Sequence, residues 1–254
     1  MTAQHVLITA GASGIGFAMA AAFASNGAKV WVADLDGAAL AQLPDGWRKT
    51  TLDITDEPAV ARMFGEISTA WGGLDVVCAN AGVAGPTALI EDITLEDWRS
   101  CVSVNLEGAF LTAKYSAPMM KSQGAGAMIL TSSTAGQFGY PNRAPYAAAK
   151  WAVIGLMKTL AMELGLFGIR ANAICPGAVE GPRMEGVLKR EAAAKGRTRD
   201  QIYQGYAAGT SMGSFVAAED IANMAVFLAS SGARLVSGQV IAVDGHTVNP
   251  DPKI

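Results

Sequence analysis

Short apolar runs alternate with longer, helix-patterned segments along almost the whole chain, and that alternation leaves few folds open. Runs at residues 6–10, 29–33, 48–52, 74–79, 127–131, 169–175 and 239–243 have the length and composition of strands. Residues 15–26, 57–71, 95–122, 144–167 and 217–230 carry helical periodicity instead. Glycine follows several of these helices, as at Gly27, Gly72 and Gly168, where a left-handed backbone is needed to end the turn. Strands that are apolar on both faces and joined by helices pair in parallel. Right-handed crossovers then lay helices on both faces of the sheet. The pattern predicts an α/β fold with one doubly wound domain over residues 1–254 and about seven parallel strands.

Composition narrows the function. Half of the residues are apolar and 16% are charged, ample for a buried core. A net charge of −3 argues against a nucleic-acid partner, which needs a basic face. No apolar stretch reaches the roughly 18 residues of a spanning helix, so no membrane partner is expected. Met1-Thr2-Ala3-Gln4-His5 lacks the charged start of a secretory signal, and a cytoplasmic location is expected. Cys78, Cys101 and Cys175 have no CxxC spacing and read as buried, reduced thiols. His5 and His246 lie far apart, so no metal-ligand cluster is expected.

Thr9-Ala10-Gly11-Ala12-Ser13-Gly14-Ile15-Gly16 joins the first strand to the first helix. A dinucleotide pyrophosphate approaches the backbone closely here and meets the free N–H groups of a helix start. Gly11, Ser13, Gly14, Ile15 and Gly16 are therefore candidate cofactor contacts in a Rossmann domain, although glycines alone would also serve a plain turn. Asp34 ends the second strand 23 residues after Gly11, near the ~20-residue offset of an acid that accepts ribose hydroxyls. A carboxylate there favours NAD over NADP, and neither Ser13 nor Leu35 offers a cation for a 2′-phosphate. The plainer alternative is an exposed turn aspartate ahead of Asp36-Gly37.

Tyr146 and Lys150 stand four residues apart at the start of a predicted helix, so they share a face. A phenol with pKa of about 10 is a poor acid or base at neutral pH. A neighbouring ammonium favours the phenolate and brings it into range. Ser133 lies 13 residues before Tyr146, just past a predicted strand, at the end of the sheet where such folds open their ligand crevice. Ser132 is its neighbour, with a backbone-satisfying role as the simpler reading.

Taken in order, these pieces resemble the short-chain dehydrogenase/reductase family over nearly the full chain. Thr9 to Gly16 matches its TGxxxGxG loop, Leu52-Asp53-Ile54 the segment beside adenine, and Asn80-Ala81-Gly82 its NAG turn. Asn105, Ser133, Tyr146 and Lys150 match its active-site residues, and Pro176-Gly177 the turn after its sixth strand. The resemblance implies hydride transfer between NAD(H) and a secondary alcohol or ketone. It implies that Tyr146 exchanges a proton with the substrate oxygen, Lys150 lowers the Tyr146 pKa and holds the nicotinamide ribose, and Ser133 hydrogen-bonds the reacting oxygen. Asn105 would hold a water linking Lys150 to solvent. Asp53, Ile54, Asn80, Ala81, Gly82, Pro176 and Gly177 would touch the cofactor. A homotetramer is implied in the same way. The chain departs from the pattern at Ala10, in place of a loop glycine, and at Ala79, in place of an asparagine. Gly181 stands where many members have a carboxamide-touching threonine, a contact that backbone at Val179 would supply.

Residues 181–214 correspond to the family's mobile substrate lid. Arg183, Lys189, Arg190, Lys195, Arg197 and Arg199 face Glu185, Glu191 and Asp200 there, the pattern of a solvated helix face. The sharper alternative pairs Arg143 or Arg183 with an anionic substrate such as a hydroxy acid, sulfonate or acidic sugar. Tyr140 and Met184 would instead line an apolar pocket for a larger alcohol. Trp151, Val153 and Met157 fit a subunit interface or the core, and His246 a surface or interface. Two other functions compete. An NADPH-dependent carbonyl or 3-ketoacyl reductase is opposed by Asp34. A non-catalytic NAD-binding regulator is opposed by Asn105, Ser133, Tyr146 and Lys150 standing together.

Overall fold

The computed structural model describes residues 3–251; Met1 and Thr2, part of the leader reading, lie outside them. Strands β1 (His5–Thr9), β2 (Lys29–Asp34), β3 (Arg48–Thr51), β4 (Val76–Ala79), β5 (Gly126–Thr131), β6 (Ile169–Pro176) and β7 (Val240–Val243) form one sheet. Every pairing is parallel, and the order is β3-β2-β1-β4-β5-β6-β7. The helices are α1 (Gly14–Ser25), α2 (Gly37–Ala41), α3 (Glu57–Trp71), α4 (Leu95–Val102), α5 (Gly108–Gln123), α6 (Ala144–Leu164), α7 (Pro182–Lys195), α8 (Arg199–Ala208) and α9 (Ala218–Ala229).

The strands are apolar on both sides because both sides are covered. Leu7, Val77, Met128 and Leu130 pack with side chains of α3, α5 and α6. Their sequence neighbours Val6, Ile8, Val76 and Ile129 pack with side chains of α1 and α9. Alternate residues point to opposite faces of a strand, so each strand feeds both cores. Each fully buried aliphatic side chain contributes roughly 1.5–3 kcal/mol.

The strand order reverses between β1 and β4, which opens a crevice at the carboxyl ends of these strands. The candidate site residues gather around that crevice.

Three expectations need correction. The helix predicted over 95–122 is two helices, α4 and α5, joined by a π-helical turn at Ser103–Glu107. Ala10 falls outside β1, with φ at +50°. The charges of the segment 181–214 do lie on helices, but they are not all solvated. Helices α7 and α8 pack through Leu188, Ala192, Ile202 and Tyr206, with Tyr140, Met184 and Phe215 against them, and Glu191 is buried in the same region. Among the described residues, no helix is long and apolar enough to cross a membrane.

Candidate active site

The glycine loop is held from behind by two polar side chains. The Thr9 hydroxyl accepts the N–H groups of Asn80 at 2.9 Å and Ala81 at 3.1 Å. The Asn80 amide donates to the carbonyls of Thr9 and Ala10, both at 3.2 Å, and its oxygen accepts from Thr131 at 3.2 Å. The ends of β1, β4 and β5 are thereby tied together. A Cβ on Gly16 would strike the Ala10 carbonyl, the Asn80 amide and the Gly11 backbone. Ser13 is the extended N-cap of α1, yet its side chain caps nothing, and the first turn carries no acid. This leaves a helix start with open N–H groups at a loop of glycines and small side chains, a cradle that fits a dinucleotide pyrophosphate. Asp34 sits beside it, accepting from the Ala12 N–H at 2.9 Å and the Asp36 N–H at 3.1 Å.

A cleft of about 250 Å³ opens over this loop. Its wall brings together Ser13, Gly14, Ile15, Gly16, Asn80, Gly82, Ser133, Tyr146, Lys150, Pro176, Gly177 and Val179, with Arg143 and Arg183. Gly11, Asp34, Asp53, Ile54, Ala81 and Asn105 are not on that wall. Gly11 lies behind the loop against Val32. The Asp53 carboxylate turns back onto the Thr55 N–H and hydroxyl, both at 2.8 Å, and Ile54 packs beneath Gly108.

Helix α6 delivers Tyr146 and Lys150 one turn apart, as their spacing requires. Lys150 is 2% exposed, and its ammonium donates to the Thr131 carbonyl at 2.9 Å. Its Nζ lies 5.7 Å from the centre of the Tyr146 ring. Burial lowers the Lys150 pKa, and attraction to Tyr146 works against that. For Tyr146, burial pushes the phenol up, but Arg183, Lys150, the Ser133 hydroxyl and Arg143 together outweigh it and leave the pKa below the ordinary tyrosine value. Ser132 is spent on the Lys150 carbonyl at 2.8 Å. Ser133, at the cleft wall, accepts from the Ala135 N–H at 3.1 Å.

Asn105 sits on the π turn, 1% exposed. Its amide donates to the carbonyls of Val83 at 3.0 Å and Cys101 at 2.8 Å. Its oxygen is buried with no hydrogen-bond partner among the described residues. A Cβ on Gly82 would crowd both this oxygen and the Lys150 ammonium, so the two atoms face one small space.

The two candidate anion-binding arginines differ. Arg143 is 5% exposed, donates to the Ala84 carbonyl at 3.1 Å, and lies 3.8 Å from Glu191, 4% exposed. Glu191 also accepts from the Tyr206 hydroxyl at 2.6 Å. Arg183 is exposed and forms no ion pair among the described residues. Tyr140 and Met184 both line the cleft. Sequence reasoning missed Thr9, Thr131, Tyr206 and the burial of Glu191. An acid between Leu188 and Ala192 on an otherwise apolar helix face was the available signal for Glu191.

Elsewhere, Val153 and Met157 are core while Trp151 is exposed. His246 is exposed beside the Ser211 hydroxyl at 2.6 Å. All three cysteines are free and buried, and burial pushes the Cys78 thiol up to about 12. Among the described residues, no group of three His, Cys, Asp or Glu could hold a metal ion.

Residues 9–246 match a family model described as enoyl-(acyl carrier protein) reductase. The chain is 37% identical to trans-4-hydroxycyclohexanecarboxylate dehydrogenase of Sinomonas cyclohexanicum, over 94% of this chain and 90% of that one. It is 36% identical to (+)-borneol dehydrogenase 1 of Salvia officinalis, over 96% and 94%. A crystal structure of NAD+-bound xylitol dehydrogenase superposes with a TM-score of 0.92 at 26% identity, covering 95% of this chain and 98% of that one. The chain belongs to the short-chain dehydrogenase/reductase family, oxidoreductases that pass hydride between a nicotinamide cofactor and an alcohol or ketone.

Proposed function

We propose that this protein is an NAD(H)-dependent dehydrogenase or ketoreductase of secondary alcohols, with Tyr146 as its acid/base. The observation that carries this reading is the Tyr146 phenol, in a cleft that begins at the glycine loop, with Lys150 and Ser133 beside it and its pKa held below the ordinary value. The nicotinamide, when bound, supplies or takes up the hydride.

The residues divide the remaining work. Tyr146 takes the hydroxyl proton during oxidation and returns it during reduction. Lys150 favours the phenolate and, fixed by the Thr131 carbonyl, presents its remaining N–H groups for the cofactor ribose. Ser133 orients the reacting oxygen. Asn105 turns its unpartnered oxygen toward the space at Gly82, where a water would relay protons from Lys150. Ser13, Gly14, Ile15 and Gly16 would receive the pyrophosphate, while Gly11 lets the loop pack against Val32 behind them. Asp53 and Ile54 would border adenine. Asn80, Ala81, Gly82, Pro176, Gly177 and Val179 would shape the nicotinamide end.

NAD rather than NADP is supported by the Asp34 carboxylate beside the loop. The cations of the neighbouring strand are engaged elsewhere. Arg48 lies over the Trp31 ring at 5.3 Å, and Lys49 donates to the Leu43 carbonyl at 2.6 Å. Free, buried cysteines support a cytoplasmic setting, and exposed apolar side chains on α6 support a homotetramer.

The test is a panel of secondary alcohols with NAD+ and NADP+, read by reduced-cofactor absorbance, on the wild type and Tyr146→Phe. Turnover with NAD+ is expected, and the variant should lose at least about a hundredfold in kcat while binding NAD+ normally. Preference for NADP+ overturns the cofactor assignment. Near-normal turnover in Tyr146→Phe removes Tyr146 from the mechanism.

A further inference from the structure

We propose that Arg183 is the anion-binding residue of the substrate pocket, and that the preferred substrate is a secondary alcohol or ketone that also carries a carboxylate. The inference rests on the alcohol–ketone reading above and specifies which member of that class the pocket selects.

The cleft is bordered by three cationic side chains, Arg143, Lys150 and Arg183. Two are committed. Lys150 is fixed to the Thr131 carbonyl and serves the phenol. Arg143 donates one Nη to the Ala84 carbonyl and holds the other 3.8 Å from the buried Glu191, while its Nε is buried with no hydrogen-bond partner among the described residues. Glu191 also lies 3.8 Å from Lys195, which pairs more closely with Asp251 at 2.8 Å, so these two cations and two carboxylates together carry no net charge. A substrate carboxylate entering there would meet the Glu191 carboxylate as well as the guanidinium, so attraction and repulsion offset each other. The buried position of Glu191, fixed by the Tyr206 hydroxyl at 2.6 Å, keeps it from turning away.

Arg183 has no such neutraliser. It stands on the first turn of α7 with no ion-pair partner among the described residues. Glu180 is the acid on the cleft wall, and it accepts from the Tyr203 hydroxyl at 2.7 Å instead. The Arg183 guanidinium lies 5.9 Å from the centre of the Tyr146 ring. An anion on Arg183 and a hydroxyl at Tyr146 therefore fit on one substrate with a short carbon skeleton between them. Tyr140, Met184 and Val187 offer that skeleton apolar wall. A guanidinium fork matches the two oxygens of a carboxylate, and a partly enclosed cleft strengthens the attraction over that of an open surface.

A dinucleotide pyrophosphate shares this anionic chemistry, so the experiment separates the two sources. NAD+-loaded wild type, Arg183→Ala and Arg183→Lys are titrated calorimetrically with cyclohexanecarboxylate, benzoate and butyrate, each compared with its own amide. Binding of NAD+ to each unloaded protein is measured in parallel. At least one carboxylate should bind the wild type about tenfold or more tightly than its amide. That preference should vanish in Arg183→Ala and partly survive in Arg183→Lys, with NAD+ affinity unchanged in both. The inference fails if no carboxylate outbinds its amide, or if the preference persists in Arg183→Ala. It also fails if Arg183→Ala weakens NAD+ binding, which gives the guanidinium to the cofactor. None of these readings needs turnover, so they stand apart from the alcohol panel that tests the enzymatic reading.

Discussion

Ala10 turns the corner out of β1 at φ +50°, in the left-handed region that costs a side-chain-bearing residue roughly 1–2 kcal/mol. Glycine adopts this conformation freely but is more flexible when unfolded, which gives back part of the gain. Ala10→Gly should therefore stabilise the protein by up to about 1 kcal/mol, raising Tm by about 2–4 °C in thermal unfolding. A lower Tm would mean that the Ala10 methyl packs usefully. Tyr146 makes a prediction of a different kind. Its pKa is held down against burial, with Arg183 the largest of the opposing influences. Oxidation needs the phenolate, so the rate falls as pH drops through that lowered value. Removing the Arg183 charge raises the phenol pKa, and the acid limb of kcat/KM in Arg183→Ala should move to higher pH. A limb that stays put, or moves down, would show that Arg183 does not act on the phenol.

At the scale of elements, one side chain joins three strands. Asn80 leaves β4 and bonds to the carbonyls of Thr9 and Ala10 and to the Thr131 hydroxyl. With each such bond contributing about 1 kcal/mol net, Asn80→Ala should lose about 2–3 kcal/mol in urea unfolding and weaken NAD+ binding through the slackened loop. Unchanged stability would mean that Thr9 alone holds the strand ends. These strands were legible in the sequence because both faces of the sheet are buried, so each apolar run stood out against amphipathic helices. The π turn was not legible. Helical periodicity averaged over residues 95–122 hides one widened turn, and Asn105 was picked out by family resemblance alone. The short helix α2 also escaped, since Asp36-Gly37 reads as a turn, although the Asp36 side chain caps that helix by accepting from the Ala39 N–H. The charges of α7 and α8 read as a solvated helix face, which gave the helical pattern but not its burial. What orders them is tertiary, namely the packing of Leu188, Ile202 and Tyr206 and a buried Glu191 that composition assigned to solvent.

At the scale of the whole molecule, one face of α6 is left uncovered by the protomer's own packing among the described residues. Trp151, Gly155, Lys158 and Met162 follow one another at helical spacing along α6, all exposed, and Leu166 continues just beyond its end. Residues three and four apart share a helix face, so two large apolar side chains flank a flat spot at Gly155. A Cβ at Gly155 meets nothing within 4 Å. A larger residue there leaves the protomer undisturbed, and removing glycine from a helix interior favours the helix by about 1 kcal/mol. Gly155→Arg is therefore a clean probe of the homotetramer we propose. If this face meets a partner's, where a stable contact covers roughly 800 Å² per subunit, the arginine should block close approach. Sedimentation velocity should then show smaller species, with monomer helicity intact by circular dichroism. A wild type that sediments as a monomer would end the tetramer proposal, and an unchanged tetramer in Gly155→Arg would move its interface away from α6.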